Sequence, residues 1–319
     1  MILTPAQSDR AAGVLLGTAV GDALGVPYEF APPLAADEIP VMKGGGLGPF
    51  EPGEWSDDTS MAMAIADVVA TGADLTSPDA LDAIATNFLR WLDDDPRDIG
   101  NQTSAVLYGT RHRLDAEPGI PAGLAMREEA LSYSATHPRS AGNGALMRTA
   151  PVALAHVDNR VTLAAAARAV AGLTHADAYA GDSCVLWCEA IRVAVIEGHI
   201  DVRSGLDLLP DDRRREWSEW LDDAHTRHPN SFAPNGYTVV ALQAAAAAII
   251  QTPVPADIPE NHLRDALYTA IRIGHDTDTV AAIAGGLLGA RWGGAAVPEN
   301  WRRDVFGWPV VDGKPRRFG

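Results

Sequence analysis

The sequence predicts an all-α protein, and three observations carry that prediction. Apolar residues recur at helical spacing along most of the chain, with Ser, Asp or Asn at the starts of the periodic stretches. Alanine-rich runs at 163–171 and 241–248 suit close helix packing, and aromatics make up only 6% of the residues, fewer than strands favour. No run alternates apolar and polar residues for long enough to require a sheet.

Taken in order, Ser8 opens a helix over 8–25. The segment 31–55 breaks the pattern with Pro32-Pro33, Gly44-Gly45-Gly46 and Pro52-Gly53, and reads as a long loop leading into a site. Ser56 opens a helix over 56–69, and Ser77-Pro78 opens another through residue 94, with Ser at the N-cap and Pro at the first helical position. Helical periodicity then recurs over 100–114, 121–132, 143–156, 161–172, 176–198, 235–251, 261–273 and 278–291. The charged stretch 211–228 reads as a solvated helix. No Pro-, Gly- or Ser-rich linker divides the chain and no solenoid period repeats, so residues 1–319 are expected to form one large domain.

A formal charge of −17 argues against a surface that tracks nucleic-acid phosphates, because such a surface needs clustered Lys and Arg. Anionic membranes are disfavoured for the same reason. The apolar run from Ala11 to Pro27 is interrupted by Asp22 and follows no basic segment, so neither a signal peptide nor a membrane span is expected, and the expected address is the cytoplasm. Cys184 and Cys188, four residues apart without nearby His, read as reduced core thiols.

The residues that carry chemistry stand at opposite ends of the chain. Ser56-Asp57-Asp58-Thr59 and Asp276-Thr277-Asp278-Thr279 each pair two carboxylates with hydroxyls at a helix start. One such residue suffices for capping, which is worth roughly 0.3–1 kcal/mol through the helix dipole. Four carboxylates brought together would repel unless a cation neutralised them, and neither motif contains Arg or Lys. All-oxygen donors select Mg²⁺ or Mn²⁺, and with Glu29 five carboxylates nearly offset two such ions. Two divalent metals suit a hydrolase. Spacing alone leaves a phosphoester and a glycosidic bond equally open.

Five segments, in order, resemble the ADP-ribosylglycohydrolase family. They are GVLLGTAVGDALGVPYEF (13–30), GEWSDDTSMAMAIADVV (53–69), SAGNGALMRTAPVAL (140–154), LTHADAYAGDSCVLW (173–187) and GHDTDTVAAIAGGLLGARWG (274–293). The resemblance spans nearly the whole chain and implies a compact orthogonal multi-helix bundle. It implies that Ser56, Asp57 and Asp58 ligate metal from one side and Asp276, Asp278 and Thr279 from the other. Glu29 matches the family's glutamate beside the metals, which would position or deprotonate the attacking water, with Asp57 and Asp58 as its catalytic neighbours. Asp22 matches a recurring aspartate for which a hydrogen-bonding role is expected.

The segment SAGNGALMR resembles the family's ligand loop, in which Ser140, Gly142 and Asn143 would approach a diphosphate at a helix N-terminus. Ala141 stands where other members place Tyr, leaving Tyr179 as an aromatic candidate for the adenine. His175 matches a histidine near bound ADP-ribose, and His275 departs from a position that is commonly small. PRDIGNQTSAVL (96–107) resembles a shorter bacterial segment in which Asp98 and Gly100 would line the cleft.

The expected function is metal-dependent cleavage of the glycosidic bond between ADP-ribose and an acceptor, with two Mg²⁺ or Mn²⁺ as cofactors. The expected partner is an ADP-ribosylated protein or a small-molecule ADP-ribose conjugate. Two other readings stay open: a dinuclear hydrolase of O-acetyl-ADP-ribose or a phosphoester, and a non-catalytic ADP-ribose-binding module.

Overall fold

A computed structural model describes residues 2–35 and 37–318. Along the chain run α1 (Pro5–Gly25), α2 (Asp57–Val69), α3 (Pro78–Asp93), α4 (Asn101–Ala116), α5 (Ala122–Thr136), α6 (Val152–Ala155) and α7 (Arg160–Ala171). They are followed by α8 (Ala178–Glu197), α9 (Asp211–Thr226), α10 (Thr238–Gln251), α11 (His262–Arg272), α12 (Thr277–Trp292) and α13 (Glu299–Asp304). A hairpin of β1 (Phe306–Val311) and β2 (Lys314–Arg317) closes the order. The all-α expectation holds, and the hairpin is the exception to it.

The helix pair at the centre is set by glycine. Gly13, Gly17, Gly21 and Gly25 recur every fourth residue of α1, so they share one face. That face meets α12 with almost no gap: a Cβ on Gly17 would lie 2.1 Å from the Gly285 carbonyl oxygen, and one on Gly13 would lie 2.3 Å from that of Gly289. Gly21 faces Ala281 and Gly25 faces Asp278, so α12 runs antiparallel to α1 and its first turn lies beside the end of α1. The apolar core spreads outward from this pair through α8, α10 and α2. Trp187 of α8 donates its indole N–H to the Ile283 carbonyl of α12 at 3.0 Å. By length and composition α1 could span a membrane, but 78% of its most apolar window is buried inside the protein.

Four local expectations are corrected. The first helix begins at Pro5, because Thr4 and Gln7 form a capping box ahead of Ser8. The stretch 143–156 is no continuous helix: it holds a 3₁₀ turn at Asn143–Ala145 and the four-residue α6, since Pro151 cannot sit in a helix interior. The charged α9 is helical but half docked, burying Trp217, Leu221 and Ala224 along one stripe. The missed hairpin turns at Asp312-Gly313, both at positive φ, and its pairing is irregular between Gly307 and Val310, where Pro309 has no N–H to give.

That hairpin serves the site. Phe306 exchanges backbone hydrogen bonds with Gly53 and Trp55, and the Trp55 indole donates to the Trp308 carbonyl at 3.1 Å. The long loop 31–55 is thereby anchored immediately before α2.

Candidate active site

Three helix ends converge on one point: the end of α1 and the starts of α2 and α12. Ser56 occupies the N-cap of α2 without a capping side-chain bond of its own. Asp22, fully buried on α1, supplies the cap. Its Oδ1 accepts from the Ser56 amide (2.9 Å) and hydroxyl (2.8 Å), and its Oδ2 from the Thr59 amide (2.9 Å) and hydroxyl (2.6 Å). Capping is therefore done from outside the motif, which leaves Asp57 and Asp58 for other work. Asp58 accepts from the Ser56 hydroxyl at 3.1 Å through Oδ2, while its Oδ1 is buried with no hydrogen-bond partner.

The α12 motif is held by Asn235, which sequence reasoning passed over, together with Asn143 and Thr277. Asn235, fully buried, donates to the Gly274 carbonyl and accepts from the Asp276 amide at 3.0 Å. Asn143 donates its side-chain amide to Asp276 Oδ2 at 2.7 Å. Thr277 donates its hydroxyl to the Gly25 carbonyl at 2.8 Å, locking α12 to α1. His275 takes φ +60° beside Gly274 at φ +81°, and its carbonyl accepts from the amide of Phe30, itself at φ +49°. Its ring is exposed and outside the cleft.

Carboxylate oxygens of Asp22, Asp58 and Asp278 lie within 4.8 Å of one another, as do those of Glu29, Asp98 and Asp278. Asp278 belongs to both groups. None of these carboxylates, nor Asp57 or Asp276, forms an ion pair with Arg or Lys among the described residues. Burial, followed by mutual repulsion, raises Asp57, Asp58 and Asp278 well above the usual carboxylate range. Glu29 is pushed up to about 9 by burial and then by Asp276, Asp98 and Asp57. Asp22 and Asp276 are raised by burial and eased by the hydrogen bonds they accept.

A cluster so charged, with an orphaned buried oxygen and no Arg or Lys ion-paired to it among the described residues, fits divalent cations held by hard oxygen donors. The acidic groups can hold a metal.

The carboxylates floor a cleft of about 400 Å³. Glu29, Asp57, Asp98, Gly100, Gly142, Asn143, His175, Asp276, Asp278 and Thr279 all line it, from six separate stretches of chain. Phe30 and Leu47 form part of the rim, which joins the 31–55 loop to the site. Ser56 and Asp58 lie behind this wall. Ser140 is not brought in: it is buried, and its hydroxyl pairs with that of Ser134 on α5 at 2.9 Å. Tyr179 is also elsewhere, donating to Glu216 and packing edge-on to Trp220 of α9. The α4 N-terminus, Gly100 to Thr103, opens directly into the cleft with no side chain capping it.

The model of the ADP-ribosylglycohydrolase family matches residues 3–314. An ADP-ribosylarginine hydrolase (Tri1) of Pseudomonas putida is 28% identical, over 95% of this chain and 76% of that protein. The ADP-ribosyl-[dinitrogen reductase] glycohydrolase of Rhodospirillum rubrum is 27% identical, over 93% and 90%. A solved structure described as an ADP-ribosylglycohydrolase-related protein complex superposes with a TM-score of 0.67 at 28% identity, covering 95% of this chain and 94% of its own. With the family pattern matched from end to end and the convergent carboxylates where that pattern lies, the chain belongs to the ADP-ribosylglycohydrolase family.

Proposed function

We propose that the protein hydrolyses the glycosidic bond joining ADP-ribose to a modified acceptor, using two Mg²⁺ or Mn²⁺ ions held by Ser56, Asp57, Asp58, Asp276, Asp278 and Thr279. The observation that carries the reading is a juxtaposition: a carboxylate cluster without counter-charge adjoins an uncapped helix N-terminus in one cleft. The first suits cations. The second suits an anion, since orphan N–H groups and the helix dipole both favour negative charge. A diphosphate-bearing sugar satisfies both at once.

In this reading the α4 amides and the Gly142–Gly144 turn hold the diphosphate, and the terminal ribose lies over the carboxylates. Divalent cations there would polarise the ribose oxygens and offset the negative charge of the cluster. Glu29 lines the cleft beside the cluster, and with cations offsetting the charge around it, it is placed to take a proton from the attacking water. Asp98, raised by burial, stands within the same group on the acceptor side.

For the acceptor we propose arginine. Asp57 and Asp98 also line a second cavity of about 220 Å³, together with Trp91, Trp308, Asp94 and Asp95; its one cation among the described residues, Arg97, is paired with Glu54. The excess of acidic groups beside Trp91 and Trp308 suits a planar cation, and the Pseudomonas relative is named for arginine. We propose a cytoplasmic address for the enzyme. The test is mass spectrometry of acceptor release from ADP-ribosyl-arginine, ADP-ribosyl-serine and modified nucleic acid, in Mg²⁺ or Mn²⁺ and with EDTA. Release from arginine alone, abolished by EDTA, is expected; binding of ADP-ribose with no release from any acceptor would overturn the enzymatic reading.

A further inference from the structure

Behind the cleft lies a buried cation that the reaction above does not use. Arg148 is fully buried, yet among the described residues its guanidinium has no carboxylate partner. It sits 4.6 Å over the ring of Phe88, with Nη1 3.5 Å from Met61 Sδ and Nη2 2.6 Å from Thr174 Oγ1. Nε has no partner at all. A buried, incompletely paired guanidinium costs stability, and packing alone gives no reason to keep one here.

Its geometry supplies a reason. A guanidinium only donates, so Thr174 Oγ1 must accept from Arg148. The hydroxyl has one proton left, and its other partner is His175 Nδ1 at 2.8 Å. If Nδ1 also carried hydrogen, the buried Thr174 proton would have no acceptor, at a cost of about 1–3 kcal/mol. Nδ1 is therefore bare and Nε2 holds the hydrogen. A doubly protonated ring is excluded by burial and by the adjacent Arg148 charge, which together hold His175 down to about 3.

The far side of the ring faces the ligand loop. A Cβ on Gly142 would lie 3.4 Å from His175 Nε2, and one on Gly144 would lie 3.2 Å from it, so the two glycines leave the nitrogen uncovered. Nε2 has no hydrogen-bond partner among the described residues, and the ring lines the cleft. Gln102 of α4 donates to the Thr174 carbonyl at 3.1 Å and ties this turn to the uncapped helix N-terminus.

We propose that Arg148 and Thr174 are positioning residues that lock His175 as its Nε2–H tautomer, giving the cleft one fixed neutral donor for an anionic oxygen of the ligand. The ligand half rests on the ADP-ribose reading above; the tautomer half does not. A lone imidazole can present either a donor or an acceptor at Nε2. Arg148, which cannot surrender its proton at working pH, removes that choice from two hydrogen bonds away.

The test is a long-range ¹H–¹⁵N correlation spectrum of the Mg²⁺-loaded protein, with His175 assigned by the signals lost in His175→Gln. Wild type should show Nδ1 as the unprotonated, pyridine-type nitrogen and Nε2 as the protonated one. Thr174→Val should relax the ring towards the tautomer mixture of a free imidazole and weaken ADP-ribose binding by the fraction of rings that leave the donor form, about twofold. Thr174→Ser should restore both. A protonated Nδ1 in wild type, or an unmixed Nε2–H ring in Thr174→Val, overturns the lock. Mixed tautomers with wild-type affinity overturn the donor role while leaving the ADP-ribose reading intact. Failure of wild type to bind ADP-ribose would instead sink that reading and the ligand half with it, the spectrum still deciding the lock.

Discussion

Removing divalent cations should make this protein less stable as pH rises, against the usual behaviour of carboxylates in ion pairs. Glu29 is raised from 4.5 to about 9 mainly by burial. The folded chain therefore binds that proton more tightly than the unfolded chain does, and stability falls with pH wherever the folded state holds more protons. The window runs from 4.5, below which both states are protonated, to about 9, above which the loss is complete. Between about pH 5.5 and pH 8 one proton is released on unfolding, at about 1.4 kcal/mol per pH unit, so Glu29 alone contributes about 3 kcal/mol. Asp57, Asp58 and Asp278 are displaced in the same direction and add to it. At about 2 °C per kcal/mol for a chain of this size, the melting temperature in EDTA should drop by about 6 °C or more across that interval. Saturating Mg²⁺ or Mn²⁺ should abolish the drop, because a cation bound only by the folded state supplies the missing counter-charge. Calorimetric scans at the two pH values, with EDTA and with metal, measure all four quantities. Equal melting temperatures at pH 5.5 and 8 in EDTA would refute the claim that the cluster is an uncompensated reservoir of negative charge.

Three further outcomes are expected. Gly17→Ala drives a Cβ to 2.1 Å from the Gly285 carbonyl oxygen, backbone against backbone, so the helices must separate; a loss of about 1–3 kcal/mol in urea denaturation should come with weaker Mn²⁺ binding by calorimetry. Asp22→Asn turns an amide NH₂ towards two of the four donors that Asp22 now satisfies, and should cost about 3 kcal/mol by the same denaturation assay. Glu29→Gln should lower kcat about 10²–10⁴-fold while Mn²⁺ still binds; an unchanged kcat would remove Glu29 from the chemistry.

What the sequence disclosed and what it hid divide along a physical line. Periodicity and caps located α3 almost to the residue, because Ser77-Pro78 is a local signal whose meaning does not depend on distant chain. The two acidic motifs were legible as a pair because four carboxylates without a cation are anomalous wherever they stand. Asn235 was hidden because its value lies wholly in what it touches: the Asp276 amide and the Gly274 carbonyl, some forty residues downstream. Ser140 misled for the converse reason, since a residue in the right segment can still face α5. The hairpin had an Asp312-Gly313 signal, but Lys314–Arg317 is charged and largely exposed and offers no alternation to read.

The glycine spacing of α1 links fold to chemistry. Carboxylates on three helix ends can share cations only if their backbones approach closely, and side chains between α1 and α12 would hold them apart. Gly25 meets the backbone of Asp278 itself: a Cβ there would lie 2.4 Å from its Cα. One helix turn earlier on the same α1, Asp22 grips the start of α2 by four hydrogen bonds. A single helix thus docks both acidic motifs, one through absent side chains and the other through a carboxylate that serves as a cap. The repulsion that results is the condition for tight cation binding, because a cluster already neutralised by Arg or Lys would have little to gain from a metal. The chain between the motifs supplies the other walls of the cleft, Asp98, the α4 N-terminus, Gly142 and His175 among them, while the stability of α1 against α12 sets how much of the charge repulsion the fold can hold.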